Sequence, residues 1–182
     1  MELKENIINT VRKIFSRDAE EQIAAVDMSA PLNGLVCAKI CAEALGNENV
    51  KAIITPYIKS KKCVKELLTQ MNIECVEVPI TAAVATLHSQ IEHSGVTITK
   101  DAALDLPRKV GDAVVNAVVL SNKWRLIDTA NFSFAHYATE KYNVCPLGYL
   151  DDAEVKDLGK ALGFKEVDWL PIEKEMFEKG VI

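Results

Sequence analysis

Hydrophobic positions along the chain change repeatedly between a spacing typical of helices and a spacing typical of buried strands. Four short apolar runs, bounded by turn or helix-stop residues, predict strands at Gln22–Met28, Val50–Thr55, Ile73–Val78 and Trp124–Asp128. Helical periodicity predicts helices at Leu3–Ser16, Leu35–Leu45, Lys62–Met71, about Ala82–Glu92, about Ala102–Leu120 and from Asp151 to Leu162, with a last short helix near Pro171. The stretch between His93 and Lys100 is weakly patterned and predicts a surface loop.

The alternation of strands with helices predicts the fold class α/β: an open, doubly wound parallel sheet in three layers, with helices on both faces. In such sheets ligands bind beyond the carboxyl ends of the strands, near the point where the strand order reverses. The 182 residues contain no repeat, linker or low-complexity tract. We therefore predict a single domain, residues 1–182.

Composition and charge exclude several classes of function. Hydrophobic residues make up 49% and charged residues 26%, which is typical of a globular domain. The chain has 21 basic and 26 acidic side chains, a net charge of −5, so it lacks the basic surface of a nucleic-acid or anionic-membrane binder. No apolar run approaches the roughly 18 residues of a membrane span, and the N-terminus lacks a signal-peptide pattern, so we expect a cytoplasmic protein.

The cysteines and histidines predict no metal site. The five cysteines are scattered without a C-x-x-C pair, and the three histidines form no cluster. Cys37 and Cys41 are four residues apart and share a helix face, which suits either a soft metal or two small core residues. The core interpretation is favoured, with reduced thiols that serve structure.

The turn after the first strand, Asp27 to Gly34, is the first place to expect chemistry because it opens a helix. Backbone N–H groups and a helix N-terminus at this place can hold a phosphate, and Ser29 and Asn33 can assist with polar side chains. The alternative is that both are turn and cap residues, with Asn33-Gly34 capping the helix. Asp27 would either repel phosphate or lie solvated at the strand end.

Several segments resemble, in the same order, the ammonia-dependent NAD synthetases. Ser29–Gly46 resembles their S-G-G-x-D-S loop and the helix that ends in A-L-G. Further likeness lies in Asn49–Pro56 (the second strand), Asp128–Ser133 (G-T-x-N-x-S-E), Ala138–Tyr142 (G-Y-x-T-K-Y-G-D), Pro146–Gly163 (P-I-x-D-L-x-K…L-G) and, more weakly, Leu106–Arg108 ahead of a long helix. The likeness covers about Arg17 to Gly163. It implies the adenine-nucleotide α-hydrolase-like fold of N-type ATP pyrophosphatases, ATP with Mg²⁺ at the strand ends, and a homodimer.

The resemblance also implies where nucleotide-binding residues lie. Carried over position by position, they are Ser29, Ala30, Pro31, Asn33, Gly34, Thr55, Arg108, Thr129 and Asn131. Each has a plainer alternative: Thr129 and Asn131 as turn residues after a strand, and Arg108 as a solvated arginine at a helix start. His136 and Tyr137 would stack on a base or, more simply, pack in the core or a dimer. The acidic residues at 151, 152 and 154 complement a helix dipole rather than hold metal.

The departures from the family pattern fall on residues that carry the chemistry. The two loop glycines correspond to Ala30, which resists positive φ, and Pro31, which has no N–H. The aspartate that helps hold Mg²⁺ corresponds to Asn33, a poorer ligand for a hard cation. The acidic residue after N-x-S corresponds to Phe134, and a lysine near the C-terminal helix corresponds to Asp152. The family's C-terminal substrate-covering segment has no evident match after residue 164.

Three hypotheses follow from this pattern. The first is a catalytically degenerate family member that binds an adenine nucleotide or dinucleotide without turnover, and it assigns no catalytic residue. The second is a structural partner, kept for its dimer surface or for pairing with an active paralogue. The third is an active NAD synthase that joins deamido-NAD, ATP and ammonia through an adenylated intermediate, with Asp27 or Asp152 holding the metal.

Overall fold

A computed structural model describes residues 2–17, 22–57, 62–132 and 144–165 of the chain. The described strands are β1 (Ala24–Asp27), β2 (Val50–Ile54), β3 (Glu74–Glu77) and β4 (Arg125–Ile127). The described α-helices are α1 (Glu2–Phe15), α2 (Pro31–Leu45), α3 (Lys62–Gln70), α4 (Thr81–His93), α5 (Lys100–Asn122) and α6 (Asp152–Ala161). Every strand and helix predicted from the pattern within these residues is present, with boundaries that differ by a few positions.

The four strands form one parallel sheet in the order β3-β2-β1-β4. Strand β1 is central and pairs with both β2 and β4: Val26 lies opposite Ala52 on one side and Ile127 on the other. Successive connections from β1 lead to β2 and β3 on one side, and the chain then returns to place β4 on the other. The order therefore reverses between β1 and β4, which is where open parallel sheets bind ligands.

Helices cover both faces of the sheet, as the apolar strands require. Val26, Ala52 and Ile127 point into the larger core, which they share with α1, α2, α3 and α6. Ala25, Ile53 and Leu126 alternate with them and pack on Val115 and Val119 of α5. A smaller cluster of Ile80, Val84 and Val110 joins α4 to α5. The three-layer α/β prediction is confirmed.

Local signals set several helix ends as predicted. Gly46 and Gly163 follow α2 and α6 with φ of 91° and 94°, a conformation that favours glycine. Asp151 and Glu154 form the predicted capping box: Glu154 N donates to Asp151 Oδ1 at 2.8 Å, and Asp151 N donates to Glu154 Oε2 at 2.9 Å. Arg12 of α1 donates to the carbonyl oxygens of Glu43 (2.7 Å) and Ala44 (3.2 Å), which closes the last turn of α2.

Two helices begin elsewhere than predicted. Helix α2 begins at Pro31, so the prediction that Asn33-Gly34 caps it is wrong; a proline with its φ preset starts a helix well, and Ala30 takes the cap position. Helix α5 begins at Lys100 behind the Thr99 cap and continues through Pro107. Arg108 therefore lies in the third turn of α5, and its prediction as a helix-start residue is wrong.

Some predictions fall outside the described residues. These are the positions of Phe134, His136 and Tyr137, the Ala138–Tyr142 motif and the short helix near Pro171. Within the described residues, no helix is both long and apolar enough to cross a membrane.

Candidate functional site

The loops that follow β1 and β4 meet at the carboxyl edge of the sheet. We call this place the β1–β4 crevice and define it by residues 27–34, residues 128–131 and Asp152. One hydrogen bond spans it directly: Asn33 Nδ2 donates to the carbonyl oxygen of Thr129 at 3.0 Å. Asn33 is thus neither the helix cap nor a solvated side chain, since its amide joins two loops that are distant in sequence.

The β1 loop is closed by its own carboxylate. Ser29 N donates to Asp27 Oδ1 at 2.9 Å, and Ser29 Oγ donates to Asp27 Oδ2 at 2.7 Å. Asp27 is half-buried, and both of its carboxylate oxygens accept hydrogen bonds from Ser29. The hydroxyl and the N–H that the sequence offered to a phosphate are both bonded to an acidic side chain of the protein.

The start of α2 fits closely against β1 at Gly34. A Cβ atom at this position would lie 2.7 Å from Met28 Sδ and 3.0 Å from the carbonyl oxygen of Asp27. The glycine therefore serves close packing of helix on strand. No side chain caps the first turn of α2, and no acidic residue lies in it.

The β4 loop is polar and yet buried. Asp128, Thr129 and Asn131 are exposed by 9%, 8% and 0%. Asp128 Oδ1 accepts a hydrogen bond from Ala130 N at 2.9 Å, which forms the turn expected after a strand. Asn131 Nδ2 donates to Asp152 Oδ1 at 2.6 Å, whereas Asn131 Oδ1 is buried and has no hydrogen-bond partner among the described residues.

Asp152 was expected to complement the α6 dipole and does lie in the first turn of that helix. Its bond to Asn131 is a second role that sequence analysis missed. The signal was present in the resemblance, because Asp152 stands where the family carries lysine and Asn131 belongs to the motif after the fourth strand. The sequence alone does not show that Asn131 and Asp152 are in contact.

The remaining predicted residues, Thr55 and Arg108, lie around the next strand end. Thr55 follows β2 and contacts α5, where a Cβ on Gly111 would be 3.1 Å from Thr55 Oγ1. Arg108 lies one turn before Gly111, and its guanidinium is paired with Asp105 (2.7 Å) and Asp112 (3.3 Å) of the same helix. The structure brings the predicted residues of the β1 and β4 loops together at the crevice, with Thr55 at the neighbouring strand.

Three thiols differ in environment. Cys37 and Cys41 are buried in α2, in agreement with the core interpretation, and burial raises the pKa of Cys41 to about 12. Burial also raises the pKa of Cys37, and the neighbouring thiols and the Asp128 carboxylate raise it further. Cys145 is exposed and its Sγ donates to Ala130 O at 3.3 Å; partial burial and then Asp128 raise its pKa to about 11. All three are therefore protonated thiols at neutral pH.

The crevice does not fit the magnesium–pyrophosphate group that the resemblance implies. Asn33, at the position of the family's metal-holding aspartate, directs its amide nitrogen at Thr129 O and keeps only a neutral carbonyl oxygen, a poorer ligand for a hard cation than a carboxylate. In the part of the chain that the structure describes, no group of three or more His, Cys, Asp or Glu side chains is placed to hold a metal ion.

One family model matches most of the chain. The family model for NAD synthase matches residues 4–179. The comparison with curated proteins gives no match. Among solved structures, an NH3-dependent NAD synthetase from Campylobacter jejuni, in complex with a nitrate ion, has 20% identity and a TM-score of 0.76, over 92% of this chain and 75% of that chain.

Two further solved structures share the fold. A glutamine-dependent NAD+ synthetase from Acinetobacter baumannii, in complex with ADP, has 16% identity and a TM-score of 0.76, over 88% of this chain and 32% of that chain. An NMN synthetase from Francisella tularensis has 17% identity and a TM-score of 0.75, over 92% of this chain and 72% of that chain.

Proposed function

Since the chain belongs to the NAD synthase family, we propose that it is a catalytically degenerate member that binds an adenine nucleotide or dinucleotide at the β1–β4 crevice without turnover. The observation that carries the proposal is the bond from Asn33 Nδ2 to Thr129 O. This bond uses the side chain of Asn33 to join two loops, at the position where the family holds its metal. The Acinetobacter relative, solved with ADP, supports a nucleotide as the ligand of this fold.

The loss of turnover follows from the chemistry of adenylation. The leaving pyrophosphate is anionic and must be stabilised by metal, lysine and backbone donors. Here Pro31 has no N–H to donate, and Asp152 stands in place of a lysine. Removal of one such donor typically lowers the rate by about 10²–10³. When several donors act together, the effects of removing each one do not simply multiply.

An alternative is an active NAD synthase with a rebuilt site. It needs Asp27 or Asp152 to hold Mg²⁺ in place of the missing carboxylates. Both side chains already accept hydrogen bonds, from Ser29 and from Asn131, which favours the first proposal. Because one of the similar structures is an NMN synthetase, an activity assay should also include a mononucleotide substrate.

Titration calorimetry with ATP and with NAD, each with and without Mg²⁺, tests binding, and ammonia-dependent release of pyrophosphate from ATP tests turnover. We expect binding of at least one nucleotide and no pyrophosphate release with deamido-NAD or its mononucleotide counterpart. Sustained release would establish the active enzyme. Absence of heat up to millimolar ligand would remove the nucleotide proposal.

A matched pair of variants locates the binding. Asn131→Leu replaces the buried crevice amide by a side chain of similar shape and should weaken binding. Asn122→Leu makes the same change at the exposed end of α5 and should not. Circular dichroism and thermal unfolding verify that both variants fold. Equal binding by the two variants would place the ligand elsewhere.

The structural-partner hypothesis has one observation in its favour, and it also bears on the homodimer. Helices α4 and α5 expose Leu87, Leu104 and Leu120 by 45%, 70% and 74%. We propose a homodimer formed through this side of the sheet. Sedimentation velocity at several concentrations should give a dimer that dissociates in Leu120→Asp, and a monomer at all concentrations would contradict it.

A further inference from the structure

The amide of Asn131 has a fixed orientation. Its Nδ2 lies 2.6 Å from Asp152 Oδ1, and turning the amide over would set two oxygen atoms at that distance. Oδ1 must therefore face away from Asp152. It is fully buried and has no partner among the described residues. Because buried acceptors in proteins are almost always bonded, this oxygen is available to a hydrogen-bond donor that a ligand brings.

Three side chains of the crevice, in contrast, already donate hydrogen bonds to the protein. Ser29 donates to Asp27, Asn33 donates to Thr129 O, and Asn131 donates to Asp152. Two of these three acceptors are carboxylates of the protein itself. They supply the anionic oxygens that a bound phosphate would otherwise supply.

The charge of the crevice points the same way. The crevice holds the carboxylates of Asp27, Asp128 and Asp152, and residues 27–34, 128–132 and 144–152 contain no lysine or arginine. Arg108, near the next strand end, is paired with two aspartates of its own helix. Each phosphate on a ligand would add like charge to this set, whereas hydroxyl and amino groups would not.

Resting on the proposed function, we infer that the crevice binds the phosphate-free, donor-bearing part of its ligand. An unphosphorylated nucleoside binds more tightly than the corresponding triphosphate, its hydroxyl or amino donor meets Asn131 Oδ1, and Asp27 and Asp152 are the residues that disfavour phosphate. This reverses the preference expected of a pyrophosphate site, for which each phosphate adds affinity.

The experiment compares the dissociation constants of adenosine, AMP, ADP and ATP at low ionic strength, without Mg²⁺. The wild-type protein should bind adenosine most tightly and ATP least. Asp27→Asn and Asp152→Asn each remove a charge and keep one oxygen, which can accept from Ser29 N or from Asn131 Nδ2; at residue 27 the bond from Ser29 Oγ loses its acceptor. Each should raise the affinity for ATP relative to that for adenosine by about threefold or more, and lose this effect in high salt.

Asp157→Asn is the matched control, because it neutralises an exposed aspartate of α6 outside the crevice. It should change neither affinity. Asn131→Leu should weaken adenosine binding tenfold or more while the fold persists by circular dichroism. Tighter binding of ATP than of adenosine by the wild-type protein would overturn the inference and leave the proposed function standing. No binding of any of the four compounds would overturn both.

Discussion

Helices α2 and α6 begin at the same edge of the sheet, yet their first turns are built in opposite ways. Helix α6 starts with a complete capping box and carries Asp152 and Glu154 in its first turn, so its own sequence satisfies its N-terminus. Helix α2 starts at Pro31 with no side-chain cap and no acidic residue. Contacts with β1 and with the β4 loop hold that start in place. One helix begins by a local signal and the other by tertiary packing.

The largest effect is expected where packing holds α2. Gly34→Ala places a Cβ 2.7 Å from Met28 Sδ and 3.0 Å from a backbone oxygen of Asp27, so strand and helix must separate slightly. We expect the free energy of unfolding to fall by about 1–3 kcal/mol, measured by urea denaturation. An unchanged midpoint would mean that α2 is not held by this contact.

Restoring the family's aspartate should also destabilise the fold. Asn33→Asp removes the donor to Thr129 O and sets two acceptors against each other, at a cost of about 1–3 kcal/mol at neutral pH. The new carboxyl has a raised pKa in the folded state, because its protonated form can donate to Thr129 O. The deficit should therefore shrink at low pH and grow as pH rises through that pKa. A deficit independent of pH between 3 and 7 would contradict this account.

Removal of the α6 cap should have a smaller effect. Asp151→Ala removes the acceptor for Glu154 N and should lower the free energy of unfolding by about 1 kcal/mol. Asp157→Ala removes an exposed aspartate of the same helix and should change it by no more than about 0.5 kcal/mol. Thermal unfolding of the two variants side by side measures the difference. Equal losses would mean that α6, like α2, is held mainly by tertiary contacts.

The smallest expected effect is a gain at α2. Ala30 occupies the cap position with φ −101° and ψ 89° and offers no side-chain acceptor. Ala30→Ser supplies a hydroxyl and should raise the free energy of unfolding by about 0.5 kcal/mol. A loss of stability would indicate that the backbone at residue 30 is set by packing so tightly that no cap geometry is reached.

The sequence predicts the architecture well because apolar periodicity and helix stops are local signals. The four strands and six described helices were expected, as were the glycine stops after α2 and α6 and the capping box of α6. The start of α2 was missed, since the cap rule favours Asn33 and the proline rule favours Pro31, and close packing at Gly34 decides between them. Arg108 was misplaced because the resemblance sets Leu106–Arg108 ahead of the long helix, whereas that helix begins at Lys100 and continues through Pro107.

The site was predicted in part. Topology and resemblance brought the β1 and β4 loops together, and the structure brings Asn33 and Thr129 into contact. The sequence did not predict which hydrogen-bond partner each polar side chain takes. The bond between Asp152 and Asn131 depends on side-chain geometry across loops, which no spacing rule supplies, whereas the Asp27–Ser29 bonds belong to a local turn. Asn131 Oδ1 is left without a partner among the described residues because of the bond to Asp152, and the sequence did not predict this either.

The hydrogen bond between Asn33 and Thr129 joins residues 96 positions apart in the chain. The pairing of β1 with β4 spans a similar length, whereas β1 with β2 and β2 with β3 close much shorter loops. Long loops cost more entropy to close, so contacts across the crevice are expected to form after the β1–β2–β3 unit. Substitutions at Asn33 should then speed unfolding and leave the folding rate almost unchanged. On this account the β1–β4 crevice, which would meet a ligand, assembles after the β1–β2–β3 unit. A bound ligand would then stabilise the protein chiefly by slowing its unfolding.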